Sequence, residues 1–163
     1  MKKPRAKPPH WSDVYSLGMP AVDNEHRGLF AAMSDLSDAV LRNDWGTAKH
    51  ILAAIPKDAA KHFSREERLM RRVGYSGSEW HRAQHTTARK RLGVLVQAAR
   101  SGGMAECNGV IAYFGSWLPD HISLHDRMMM ASVRNFKRSL PLRTSALGKS
   151  LQRHGRPTKR HRE

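Results

Sequence analysis

The sequence predicts an all-α protein, an up-and-down four-helix bundle followed by a basic, disordered C-terminal tail. Three observations carry this prediction. Apolar residues recur three and four positions apart through four long segments, which is the period of an amphipathic helix. Short glycine- or serine-containing connections such as GYSG (74–77) separate the segments, and none of them alternates as a strand does. With 163 residues, the chain has the length of one such domain.

The first two predicted helices are separated by an Arg-Asn-Asp stop and restart. The first begins between Pro20 and Asp23. The second runs from about Asp44 to Val73, with a kink or a break at Pro56. The apolar stripe of the first helix includes one histidine and consists of Val22, His26, Leu29, Phe30, Met33, Leu36 and Val40.

The third predicted helix starts near Ser76 or Ser78, either of which is a suitable N-cap residue, and ends at a Ser-Gly-Gly sequence. The fourth runs from Met104 to about Met130. Pro119 lies inside its pattern and is a candidate kink, where an irregular backbone could aim neighbouring side chains.

The formal charge of +15 is unevenly distributed. Residues 1–9 carry four cations and 134–163 carry ten cations and one acid, so the ends hold +4 and +9 and leave +2 for 10–133. We therefore divide the chain into a flexible basic arm (1–10), a bundle (11–133) and a basic tail (134–163).

Composition also bears on the compartment. The mean hydropathy is −0.64 and no run of 18 apolar residues occurs, which predicts no membrane span. The basic N-terminus is followed by no apolar stretch of the kind found in secretory signals. The single cysteine, Cys107, fits a reducing compartment. We expect a cytoplasmic monomer.

Histidine and carboxylate residues fall on the apolar stripes of all four helices. His62 and Glu66 are four residues apart, so they lie on one helical face about one turn apart, and His81 and His85 repeat this spacing. A buried histidine alone is more often a hydrogen-bonded core residue than a ligand. Seven such groups would be costly to bury without a partner, at about 1–3 kcal/mol for each unsatisfied group. The candidates are His26, His62, Glu66, His81, His85, His121 and either Asp126 or His125.

Imidazole and carboxylate together suit iron, or zinc less well. A ferritin-like di-iron oxidase would use Glu-x-x-His pairs, and none occurs here. A zinc hydrolase would need about three protein ligands and no surplus. Neither class of enzyme fits the pattern.

The series H…HxxxE…HxxxH…HxxxxD, together with a tryptophan near the start and the stretch AVDNEHRGLF, resembles the hemerythrin family over residues 11–130. The resemblance implies a non-haem di-iron centre, bridged by an oxo or hydroxo group, that binds O2 reversibly and is not an enzyme. It implies three groups of ligands: His81, His85 and His121 on one iron, His26 and His62 on the other, and Glu66 and Asp126 as bridges.

An unequal ligand count follows from this assignment. Each iron takes about six ligands, so the three-histidine ion is complete and the two-histidine ion keeps one open position, where O2 would enter. By resemblance, Leu118 and Ile122 line the O2 pocket, with Trp117 beside them. For Trp117, simple core packing is an equal alternative.

Helical geometry alone favours His125 over Asp126 as the partner of His121. Five residues place Asp126 about 140° around an α-helix from His121, whereas His125 is one turn away. The resemblance favours Asp126, and a second carboxylate would balance the charge of two irons. A π-bulge or an unwinding near Pro119 would bring Asp126 to the site, and His125 would then face solvent or stand behind the ligands.

Two uses of the site remain open. It could store or deliver O2, or it could sense O2, NO or redox state. In the second case the basic tail would be the output and would contact nucleic acid or another acidic surface. The chain could also be an iron-binding protein whose tail makes such contacts independently of the site, or whose tail only aids solubility. Because residues 134–163 hold one aromatic residue, such binding would be weak, driven by phosphate and blind to sequence.

Overall fold

The structure is a computed structural model that describes the backbone of residues 8–153 and the side chains of residues 8–140. It contains five α-helices and no strand within that part. They are α1 (Pro20–Arg42), α2 (Trp45–Val73), α3 (Ser78–Gly102), α4 (Cys107–His121) and α5 (Arg127–Arg153). A π-helical turn, Ile122–Asp126, joins α4 to α5, so these form the fourth rod of the bundle.

The first three helices alternate in direction and contact their neighbours in the order α1–α2–α3–α4, and α4 closes the ring against α1. This is the predicted up-and-down bundle. In the described part of the chain, no helix is long and apolar enough to cross a bilayer.

Local chemistry explains most helix ends. Asn43 ends α1 in the left-handed region with φ of 55°, and the side chain of Asp44 caps α2 by accepting from the amide of Thr47 at 3.0 Å. Gly74, with φ of 63°, ends α2. The predicted serine cap of α3 is wrong. The cap is Gly77, where a Cβ would lie 2.6 Å from the ring of Tyr75.

Two prolines lie inside helices without ending them. Helix α2 continues through Pro56, so a break there is excluded, and α4 continues through Pro119. The departure from α geometry comes after Pro119, in the π-helical turn.

The N-terminal segment lies against the bundle. The rings of Trp11 and Tyr15 pack on Phe30, with centroids 5.9 and 5.1 Å away. The buried carboxylate of Asp23 accepts from the Leu17 amide at 2.9 Å, and Arg127 donates to the Val14 carbonyl. This segment is therefore fixed to both the first and the last helix.

The predicted end of the fourth helix near Met130 is wrong, since α5 continues to Arg153. Val133, Phe136 and Leu140 keep the helical spacing into the region predicted as tail, and they line an apolar groove of about 320 Å³ with Leu69 and Val73. The first part of the predicted tail is therefore helical. Residues 1–7 and 154–163, on which much of the predicted arm and tail falls, lie outside the described residues.

Candidate metal centre

Seven polar side chains converge inside the bundle, and each is at most 2% exposed. All four rods contribute. Helix α1 supplies one histidine, α2 and α3 supply a pair each, and α4 with the π-helical turn supplies the last two. The seven are His26, His62, Glu66, His81, His85, His121 and Asp126.

These side chains form two groups that share their carboxylates. One group is Glu66, His81, His85, His121 and Asp126, and the other is His26, His62, Glu66 and Asp126. Within each group the ligand atoms lie within 4.8 Å of one another. The arrangement thus offers two metal positions, with Glu66 and Asp126 between them.

The three-histidine group has the spacing of an octahedral site. The Nε2 atom of His121 lies 3.0 Å from that of His81 and 3.1 Å from that of His85. Donors about 2.1 Å from a metal lie about 3.0 Å apart at right angles and about 3.4 Å apart at the tetrahedral angle. Six-coordinate iron therefore fits this spacing better than tetrahedral zinc.

The carboxylate of Asp126 spans the two groups. Its Oδ1 atom lies 3.1 Å from His81 Nε2 and 3.0 Å from His121 Nε2, while Oδ2 lies 3.3 Å from His26 Nε2. One oxygen therefore faces each group, which is the placement of a bridging ligand.

Glu66 occupies the corresponding position on α2. Its Oε2 atom lies 3.2 Å from His85 Nε2 and 3.5 Å from His62 Nε2, so it contacts both groups. Among the described residues, neither Glu66 nor Asp126 accepts a hydrogen bond of proper geometry, although these nitrogens are close. Four buried anionic oxygens without hydrogen bonds fit a metal between them and are otherwise costly.

The π-helical turn explains how Asp126 reaches the site. In this turn the Arg127 amide donates to the Ile122 carbonyl, five residues back. The wider turn carries Asp126 around to the side of His121, and the two side chains meet at 3.0 Å. The predicted π-bulge is thus confirmed, and it lies just beyond Pro119.

Two further carboxylates each contact the Nδ1 atom of one histidine whose Nε2 atom faces the site, and so orient its ring. His62 Nδ1 lies 3.3 Å from Glu25 Oε2, and the guanidinium of Arg65 holds Glu25 at 2.8 Å. Such pairs fix the orientation of a ligand ring and raise its basicity. Sequence reasoning missed Glu25, although it directly precedes His26 in the resemblance stretch.

The same arrangement recurs on the three-histidine side. His85 Nδ1 lies 3.2 Å from Glu67 Oε1, and Arg89 donates to that oxygen at 2.9 Å. Glu67 was also missed, although it follows Glu66 directly. Both carboxylates lie at the bundle edge, with 14% of the Glu25 side chain and 16% of the Glu67 side chain exposed.

Electrostatics keep the two shared carboxylates, Glu66 and Asp126, anionic. Burial, and then the charge of Asp126, would raise the pKa of Glu66. The surrounding imidazoles outweigh both effects and lower the pKa to about 2. Burial likewise opposes ionisation of Asp126, but the charge of His121 and contacts with other histidines hold its pKa well below the usual value.

The histidines respond in opposite directions. Burial would lower the pKa of His81, but contacts with Asp126 and Glu66 raise it to about 9. Burial lowers the pKa of His85, and the positive charges of His121 and His81 add to that effect. In the iron-free protein, a proton on His81 thus balances part of the negative charge of Glu66 and Asp126, and a metal ion must displace this proton to bind.

Aromatic rings surround the three-histidine group. Trp117 stacks on His121 with centroids 4.3 Å apart, and Phe63 stacks on His85 at 4.2 Å. Leu118 and Ile122, predicted to line the O2 pocket, are fully buried in the same core. The described ring contacts of Trp117 lie on the three-histidine side.

His125 does not join the ligand atoms. Its ring stacks on His121 with centroids 4.8 Å apart and on Trp80 at 4.3 Å. Burial, and then the nearby His121, lowers the pKa of His125 to about 4. His125 is thus half-buried and lies next to His121, outside the cluster of ligand atoms. His50 lies away from the site and contacts the Gly46 carbonyl.

Comparison with known proteins agrees with this geometry. The model of the hemerythrin HHE cation binding domain matches residues 18–133. A bacteriohemerythrin of Pseudomonas aeruginosa is 27% identical over 128 residues, 77% of this chain and 81% of that one. A bacteriohemerythrin of Clostridium acetobutylicum is 25% identical over 123 residues, 72% of this chain and 95% of that one.

Two further matches extend the comparison. The myohemerythrin of Riftia pachyptila is 26% identical over 112 residues, 69% of this chain and 82% of that one. A crystal structure of a hemerythrin mutant superposes with a TM-score of 0.68 at 18% identity, covering 77% of this chain and 96% of that chain. That likeness concerns the fold. The matched range spans most of the chain and includes all seven converging side chains, so the chain belongs to the hemerythrin family.

Proposed function

We propose that this protein binds O2 reversibly at two iron ions, as a binding protein and not as an enzyme. The hemerythrin family binds O2 at a di-iron site, and a non-haem iron site follows from membership. The observation that carries the proposal for this chain is the pair of buried ligand groups that share two carboxylates.

The proposed roles follow the two groups. His81, His85 and His121 would hold one ion, and His26 with His62 would hold the other. Glu66 and Asp126, which belong to both groups, would be shared between the ions together with an oxo or hydroxo group. When bound, a ferrous pair would supply the reversible redox chemistry that O2 binding needs.

The unequal number of histidines in the two groups supports O2 binding at the two-histidine ion. Counted with the two shared carboxylates and a bridging oxygen, an ion held by the first group would have six ligands and an ion held by the second would have five, which would leave one position for O2. The buried Leu118 and Ile122 are proposed to line that position. Trp117 stacks on His121 in the other group, which favours core packing as its role. Apolar walls would exclude water and slow oxidative loss of the bound form.

Iron content and the visible spectrum test this proposal. Protein made with ample iron should contain about two Fe per chain and little Zn, as the two groups require. The reduced protein should be nearly colourless, gain a charge-transfer band in air and lose it on degassing. One metal per chain, zinc alone, or bleaching within seconds that degassing does not reverse would contradict reversible di-iron binding.

A second candidate function is sensing, with the basic tail as output. The observation that favours it is that the site and the helix leading into the tail are continuous along the chain. Asp126 ends the π-helical turn and α5 begins at the next residue, running on to Arg153. A change at the bridging ligand would therefore bear directly on a helix whose 27 residues contain no acid. O2-dependent binding of an acidic partner would distinguish sensing from storage or delivery.

A further inference from the structure

A row of stacked rings connects the metal centre to the surface. His121, on the three-histidine side, stacks with His125 at 4.8 Å and an interplanar angle of 12°. His125 stacks with Trp80 at 4.3 Å and 26°. Trp80 is 47% exposed, whereas His121 is 2% exposed. The three rings thus run without a gap from a buried ligand to solvent.

Hydrogen bonding does not account for the position of His125. Both of its ring nitrogens are buried and make no hydrogen bond with any described residue. Its described contacts are with rings, including His81 at 5.9 Å. A histidine that lies between two stacked rings is suited to mediating electron transfer between its neighbours, because π systems in contact couple electronically.

The outer end of the row lies in a small apolar surface. Leu124 and Met128 flank His125 in the chain and are 51% and 48% exposed, and Trp80, which stacks on His125, is 47% exposed. Weak, transient redox contacts bury little area, and a small apolar patch suits such an encounter. Helix α5, on which Met128 lies, contains no acidic residue, and its lysines and arginines would steer an acidic protein toward this end of the bundle.

We propose that Trp80 and His125 form the electron entry route by which an acidic one-electron carrier protein reduces the ferric centre. This inference rests on the proposed di-iron function. All seven ligands are buried, so a protein-sized donor cannot touch them, and the stacked rings supply a path. Two reduced carriers each give up one electron, and two Fe(III) ions become two Fe(II) ions. Water supplies the proton that the more basic bridging oxygen takes up.

The first test measures the route without any partner. A flash photo-oxidant, tris(bipyridyl)ruthenium(III), converts exposed tryptophan to its radical, and transient absorption records the radical's lifetime. With ferrous iron in the protein, the lifetime should shorten, because the iron returns an electron through His125. In His125→Leu the lifetime should be the same with and without iron. Trp80→Leu should remove the iron-sensitive component of the signal.

The second test uses a carrier. Reduction of the ferric protein by reduced rubredoxin, a small one-electron iron–sulfur protein, should slow about tenfold or more in Trp80→Leu and in His125→Leu. Trp45→Leu is the matched control, since Trp45 is half-buried at the start of α2 and should leave the rate unchanged. If Trp80→Leu does not fold, Trp80→Phe keeps a ring against His125 but cannot be oxidised by the flash reagent, so it should lose the iron-sensitive component of the first test.

Iron content and oxygenation, measured on the same samples, separate this inference from the proposed function. Variants that keep two irons and the oxygenated spectrum but are reduced as fast as the parent protein would overturn the route. So would a wild-type radical whose lifetime does not respond to iron. A parent protein without two irons would instead refute the di-iron proposal itself.

Discussion

Replacing Glu25 with glutamine isolates the negative charge behind the two-histidine group. Glutamine keeps the size of the side chain and an oxygen that can accept from His62 Nδ1, which lies 3.3 Å from the carboxylate. The change removes the charge that makes the imidazole more basic and releases Arg65 from its 2.8 Å ion pair. The ligand set itself stays intact.

The expected size of the effect comes from the position of the carboxylate. Loss of a carboxylate that orients a metal-bound histidine costs about 10- to 100-fold in metal affinity, or about 1.4–2.7 kcal/mol. The value should lie toward the lower end, because 14% of the Glu25 side chain is exposed and solvent screens its charge. The ion with fewer histidines depends more on each of them, so it should leave first.

Glu67→Gln is the matched control. Glu67 stands 3.2 Å from His85 Nδ1, is 16% exposed and pairs with an arginine, as Glu25 does. Iron loss to a chelator should occur in two phases, and the rates of the two phases should differ more in Glu25→Gln than in Glu67→Gln. Metal analysis after the first phase should then find one ion left per chain. Equal behaviour of the two variants, or no change in either, would refute the reasoning that the two metal positions differ in strength.

The remaining predictions concern the bridge, pH and the tail. Asp126→Ala should lose most of its iron, because Asp126 faces both groups, whereas His125→Ala should keep its iron. Metal analysis checks this. Iron loss in His125→Ala but not in Asp126→Ala would show that His125, one helical turn from His121, is the ligand. In the iron-free protein the pKa of His81 is raised from 6.5 to about 9, so its stabilising charge is fully present below pH 6.5 and is lost as pH rises through 9. Urea unfolding should therefore show a stability that declines over this range, and the decline should flatten in His81→Gln; an equal decline in both would exclude His81 as the cause. Full-length protein should bind DNA at low salt and release it at about 200 mM, while a chain ending at Leu140 should not bind; if both titrations coincide, the tail is no nucleic-acid arm.

Sequence periodicity predicted the helices well where apolar and polar faces are distinct. The bounds of α1 and α2 follow from the stripe and from the turn residues between them. The end of the fourth rod was misjudged, because serine, glycine and proline after Arg138 dilute the pattern although Phe136 and Leu140 continue it. Tertiary packing against α2, which single-sequence periodicity does not contain, holds this part.

The ligand pairs four residues apart could be found from spacing alone, since an α-helix fixes their geometry. The relation of His121 to Asp126 could not, because it depends on a π-helical turn that α-helical spacing does not describe. Glu25 and Glu67 were missed for a different reason. Each reaches a histidine on another helix, and such contacts depend on how neighbouring helices are rotated.

The two glutamate–arginine pairs have a consequence for how iron reaches a closed core. One pair ties α1 to α2 and the other ties α2 to α3. Within the described residues, no ion pair apart from the ligands themselves joins α4 to another helix. Without iron, the imidazole of His121 and the carboxylate of Asp126 also lack a metal partner. Helix α4 should then be the least protected rod of the iron-free protein.

Opening of one rod costs less than unfolding the whole bundle, and it would expose both ligand groups at once. Amide hydrogens of residues 107–121 should thus exchange with solvent faster than those of α2 when iron is absent, and slow sharply once it is bound. The three helices joined by ion pairs would keep their ligand side chains in place while α4 opens to admit iron and closes over it.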